Sequence, residues 1–94
     1  MNTYLFNQKT PKQINRDIAD RIRGIRRSLK ISQTDLSSKS GVSLGSIKRF
    51  ERTGDISLIS LTKIAIALSC EDELTVLFTR RNFRSLQEVI DGQN

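Results

Sequence analysis

Apolar residues recur along the first third of the chain with a helical rhythm. Ile14, Ile18, Ile22, Ile25 and Leu29 stand four, four, three and four residues apart, one stripe opposite an arginine-rich face. Thr10, Pro11 and Gln13 supply a threonine N-cap, a proline at the first helical position and a glutamine three residues after the cap, so this helix starts at residue 10 or 11. Gly24 inside it weakens the helix by about 1 kcal/mol relative to alanine, or else permits a close approach. Ser32 and Asp35 open a second, short helix that Gly41 ends, with Leu36 as its apolar residue between Ile31 and Val42. Ser43 caps a third, in which Ile47 and Phe50 face inward together and after which Gly54 is the stop.

The fourth segment is the most apolar and therefore central. It is capped by Ser57 or Ser60 and carries Leu58, Leu61, Ile64, Ala65 and Leu68 on one stripe, with Ile66 outside it. A fifth helix begins in the acidic run Glu71, Asp72, Glu73, which suits the positive end of a helix dipole, and Leu74, Leu77 and Phe78 are expected to close the core. Helices of about eight residues do not survive alone in water, so all five must share one core. The pattern predicts an all-α domain over residues 10–79, with an extension at 1–9 and a tail at 80–94. Two apolar features lie outside that domain: Tyr4, Leu5 and Phe6 at one end, and Leu86, Val89 and Ile90 behind a Ser85/Glu88 capping pair at the other.

Charge changes the picture from a helical bundle to a binding module. The chain has 94 residues and a net charge of +6, and residues 1–52 hold twelve Lys/Arg against four Asp/Glu while the rest holds four against six. Such asymmetry points to a polyanion, nucleic acid before an anionic membrane surface, unless the basic residues merely solvate a helix face. The lone cysteine, Cys70, allows no internal disulfide and is read as a small buried thiol; with no histidine present, a Cys/His metal site is excluded. No glycine-rich phosphate loop, activated thiol or paired carboxylate in an evident pocket supports an enzyme, and no cofactor or metal is expected. No apolar run approaches the ~20 residues of a membrane span and the N-terminus lacks a signal-peptide core, so a cytoplasmic location is expected.

Two short helices joined through one glycine match a helix-turn-helix, whose second helix lies in the DNA major groove. Counting from Gln33, the fourth residue is apolar (Leu36), the fifth small (Ser37), the ninth glycine (Gly41), and the fifteenth and eighteenth apolar (Ile47, Phe50). A small residue lets the helices cross closely, the glycine takes a left-handed turn, and the apolar three lock both helices down. An acid facing DNA would be repelled by phosphate, so Glu51 is expected to point inward or to be neutralised.

IRGIRRSLKISQTDLSSKSGVSLGSIKRFERTG and LTKIAIALSCEDELTVLF resemble the Cro/C1-type helix-turn-helix repressors, or XRE family, over roughly residues 14–78. Lys30, Ser37 and Ser40 stand where the family usually has glycine, alanine and a small apolar residue; none of these departures removes a property the motif needs. The resemblance implies a five-helix, lambda-repressor-like domain acting on double-stranded DNA at a palindromic operator as a homodimer. Position by position it implies base reading by Leu44, Gly45 and Arg49, phosphate contacts by Gln33, Ser43 and Ser46, and an ion pair between Arg26 and Glu51. Chemically, Leu44 offers only an apolar contact such as a thymine methyl, Gly45 has no side chain, and Arg49 alone can grip guanine O6 and N7. Lys48 is expected on a phosphate, which is also the alternative role for Arg49. The resemblance further extends to HipB-like antitoxins, so a toxin or HipA-like kinase is the alternative partner, docked through the tail.

Overall fold

The computed structural model describes residues 8–80, and over them the chain is all-helical: α1 Pro11–Ser28, α2 Gln33–Ser40, α3 Leu44–Thr53, α4 Leu58–Ala67 and α5 Glu71–Thr75. The Tyr4–Phe6 cluster and the Ser85–Ile90 segment lie outside the described residues.

Local chemistry explains four of the five helix starts. Thr10 and Gln13 form a reciprocal capping box at α1, and Ser32 and Asp35 do so at α2. Ser43 and Ser57 each accept the third N–H of α3 and α4, so the cap of α4 is Ser57 and not Ser60. Gly41 and Gly54 end α2 and α3 in the left-handed region, with φ of 75° and 83°. Lys30, in the turn after α1, also has a positive φ, 58°. Here the departure from the family's usual glycine does matter, because a side chain in this conformation costs about 1 kcal/mol.

Ala19, Ile22, Leu36, Val42, Ile47, Phe50, Ile64 and Leu68 form the core. Helix α1 lies on α3, and α2 lies on both α3 and α4, so the two helices of the motif are clamped from both sides. The apolar stripe of α1 is longer than the surface it covers, and Ile14 and Leu29 at its ends are half exposed. Gly24 has nothing within 4 Å of where a Cβ would stand, so no close approach explains it.

The expected closure by α5 is wrong in part. Leu74 is half-buried, but Leu77 is exposed and Phe78 is 80% exposed with a φ of 64°. A helix that ends at Thr75 stops before it can turn these two side chains onto the core. Leu58, at the first position of α4, is 70% exposed. Cys70 is half-buried at the start of α5; burial and the nearby Glu73 and Glu71 push its thiol upward, away from reactivity. No helix among the described residues is long and apolar enough to cross a membrane.

Candidate nucleic-acid interface

Residues 41–43 make the turn between α2 and α3, and serines in and beside the last turn of α2 tie it together. The Gly41 N–H donates to the Ser37 carbonyl at 2.9 Å, the Ser37 hydroxyl donates to the Val42 carbonyl at 2.7 Å, and the Val42 N–H donates to Ser40 Oγ at 3.1 Å. Val42 itself is buried. Ser37 and Ser40 therefore do more than fit in place of apolar residues: their hydroxyls satisfy backbone groups that the turn leaves open.

Beneath the pair is a buried charge cluster. Arg26 Nε and Nη2 donate to the two oxygens of Glu51 at 2.8 and 3.0 Å, a fork-to-fork pair whose side chains are 10% and 5% exposed. Arg26 Nη1 donates to the Ile31 carbonyl at 2.8 Å, which binds α1 to the start of α2. Gln33 Nε2 donates to Glu51 Oε1 at 3.0 Å, and Arg23 Nε stands 3.9 Å from the same oxygen. Burial opposes the charge on Glu51, but the bonds from Arg26 and Gln33 and the fields of Arg26 and Arg23 outweigh it, and the carboxyl is held below its ordinary 4.5. One carboxylate thus joins α1, α2 and α3 and fixes the tilt of α3.

Gln33, expected on a phosphate, is also drawn into this cluster. It is half-buried and gives an amide hydrogen to Glu51, because a buried carboxylate oxygen demands donors; only its second amide hydrogen is left for a phosphate. A second tie comes from Arg16, whose Nη2 donates to the Arg52 carbonyl at 3.1 Å in the last turn of α3. Arg23 and Arg16 went unnoticed in the sequence, although Arg23 stands three residues before Arg26 on the same side of α1 and could have been paired with Glu51 on that ground.

The other face of α3 is free of the core. Ser43, Gly45, Ser46, Lys48 and Arg49 are exposed and Leu44 is half-buried. Ser43 Oγ donates to Ser46 Oγ at 2.8 Å, so the Ser46 hydroxyl hydrogen is left to a further acceptor. Gly45 has open space around its absent Cβ, so the backbone of the first turn of α3 is bare on its outer side. Lys48 makes no ion pair among the described residues, whereas Arg49 Nη2 lies 2.7 Å from Asp55 Oδ2. That partner was not anticipated.

Comparison with known families bears on this arrangement. The family model for the helix-turn-helix of Cro/C1 type matches residues 22–73, more than half of the chain and all of α2, α3 and α4. The chain belongs to the Cro/C1-type helix-turn-helix family. Searches of curated proteins and of solved structures found no match. Membership makes the chain a DNA-binding helix-turn-helix regulator, of a family that is generally non-enzymatic. In this Cro/C1-type domain α2 and α3 are the two helices of the motif, and Glu51 holds the inner face of α3.

Proposed function

We propose that this protein is a sequence-specific transcriptional regulator, a repressor, that binds a palindromic double-stranded operator as a homodimer with α3 in the major groove. The observation that carries the reading is the division of α3. Ile47, Phe50 and Glu51 are buried, while Ser43, Ser46, Lys48 and Arg49 are exposed on a helix that the buried charges hold at one angle. Arg49 reads a guanine through two N–H groups, Leu44 meets a thymine methyl, and Gly45 lets the backbone come close to the groove. Ser43, Ser46, Lys48 and the remaining Gln33 hydrogen contact phosphates. So few base contacts per copy give limited discrimination, and two-fold pairing over half-sites ~10 bp apart doubles it. Repression needs no more than occupancy of promoter DNA.

Selection of bound duplexes from a random pool, run with the parent chain and with Arg49→Ala, tests the reading. A preferred guanine in each half-site that Arg49→Ala abolishes is the expected result. Uniform weakening across all sequences would reduce Arg49 to a phosphate contact, and a flat dependence of affinity on salt would remove DNA binding altogether.

A second reading rests on a different observation. Val76, Leu77 and Phe78 are exposed apolar residues leading into the tail, a surface suited to protein docking and hence to an antitoxin or accessory subunit. Truncation after Phe78 separates the two: loss of the dimer assigns the tail to self-association, while an intact dimer that no longer binds a HipA-like kinase assigns it to that partner.

A further inference from the structure

We propose that Asp55 is a positioning residue that decides how Arg49 is used, presenting it to a guanine edge and disfavouring a phosphate; the inference rests on the DNA-reading role given to α3 above. Arg49 Nη2 and Asp55 Oδ2 are 2.7 Å apart, and the two side chains are 64% and 63% exposed. An exposed pair adds little to folding, so its consequence lies in what it does to Arg49.

The acid is held there by the backbone. The Thr53 hydroxyl donates to the Arg49 carbonyl at 2.7 Å and accepts the Asp55 N–H at 3.1 Å, which keeps Asp55 in register with Arg49. Gly54, between them, has a φ of 83° and donates its N–H to the Phe50 carbonyl at 2.7 Å. It lies so close to α1 that a Cβ there would stand 2.8 Å from the Asn15 carbonyl carbon. Helix α1 thus blocks any retreat of the loop, and the Asp55 carboxylate stays beside the guanidinium on the outer side of α3.

Two acceptors compete for Arg49 in a DNA complex, and Asp55 treats them differently. A phosphate brings a second negative charge to within a few ångströms of the carboxylate, and like charges at that distance repel. It must either take Arg49 from Asp55 or share it at that cost. Guanine presents two neutral acceptors, O6 and N7, to one edge of the guanidinium. The five N–H donors of arginine suffice for both partners: one goes to Asp55, and a pair remains for the base. The carboxylate therefore penalises the phosphate contact alone.

The test compares Asp55→Asn and Asp55→Glu with the parent chain and Arg49→Ala. Binding is measured on the duplex selected from the random pool and on a scrambled duplex over a range of salt. Asp55→Asn is expected to bind the scrambled duplex roughly two- to fivefold more tightly, to lose much of the guanine preference, and to steepen the slope of log affinity against log salt by about one phosphate. Asp55→Glu, which keeps the charge, is expected to behave as the parent. Parental preference and slope in Asp55→Asn overturn the proposal, as do weaker binding to both duplexes or an Asp55→Glu variant that matches Asp55→Asn. If Asp55→Asn does not fold, Asp55→Ser takes its place under the same criteria. An Arg49→Ala chain that keeps the guanine preference shows instead that the reading of α3 has failed, and the role of Asp55 fails with it.

Discussion

Helix α3 contributes one partner to each of two arginine–carboxylate pairs of the same chemistry and opposite surroundings. Arg26–Glu51 is buried and forked, has Gln33 and Arg23 as further partners, and joins three helices. Arg49–Asp55 is a single contact in solvent on the outer face of the same helix. Burial makes the first pair structural, because neither charge can be abandoned once water is excluded. Exposure makes the second available, because water and salt can replace either partner at little cost. The inner pair sets where the helix lies, and the outer pair concerns what the helix touches.

Breaking the inner pair has the largest expected effect. Glu51→Ala leaves Arg26 buried without its acid and is expected to lower stability by ~3–5 kcal/mol in urea unfolding. Arg26→Ala should do nearly the same, and the double variant should lose less than the sum. A Glu51→Ala loss of about 0.5 kcal/mol would make the two pairs equivalent. Next comes Gly54→Ala, which sets a side chain at positive φ against the α1 backbone and is expected to cost roughly 2–4 kcal/mol. Gly41→Ala, at positive φ but with open space around it, is expected to cost ~1 kcal/mol in the same measurement.

The outer pair should respond in a different assay. Arg49→Ala is expected to change unfolding by about 0.5 kcal/mol or less, yet to cost ~1–3 kcal/mol of binding to the selected duplex. The inner pair should also show itself in acid. Glu51 has a folded-state pKa below its ordinary 4.5, so the unfolded chain binds the proton more readily and stability rises with pH across that interval. Its contribution is complete above 4.5 and is lost as pH falls through the lower, folded value. Thermal unfolding of Glu51→Gln from pH 6 downward is expected to show a shallower acid limb than the parent.

Much of the fold was legible because helix signals are local. Thr10, Ser32, Ser43, Gly41 and Gly54 act on backbone groups within a few residues, and each ends or begins a helix where its type and spacing predict. The core residues Leu36, Ile47 and Phe50 followed from the same spacing. The ends of the apolar stripes were less legible: Ile14, Leu29, Leu58, Leu77 and Phe78 have the right period, but burial also requires a neighbour of sufficient length to cover them. Lys30 is a related case, since a chain shows where glycine is missing but not that the backbone there still needs φ of 58°.

At the interface, the sequence by itself determined which residue types α3 can offer: two arginines and one lysine, small hydroxyls at its start, and a glycine with nothing to read with. It also determined that Glu51 had to face inward, since an acid beside phosphates is repelled. Tertiary structure alone decided the partners. Gln33 turned toward Glu51, Arg23 joined it, Arg16 reached the end of α3, and Asp55 was brought beside Arg49. Each of these depends on how helices far apart in sequence cross, or on a turn pressed against another helix. A hydrogen bond or an ion pair is decided within an ångström or so, and that distance is settled only when the helices pack.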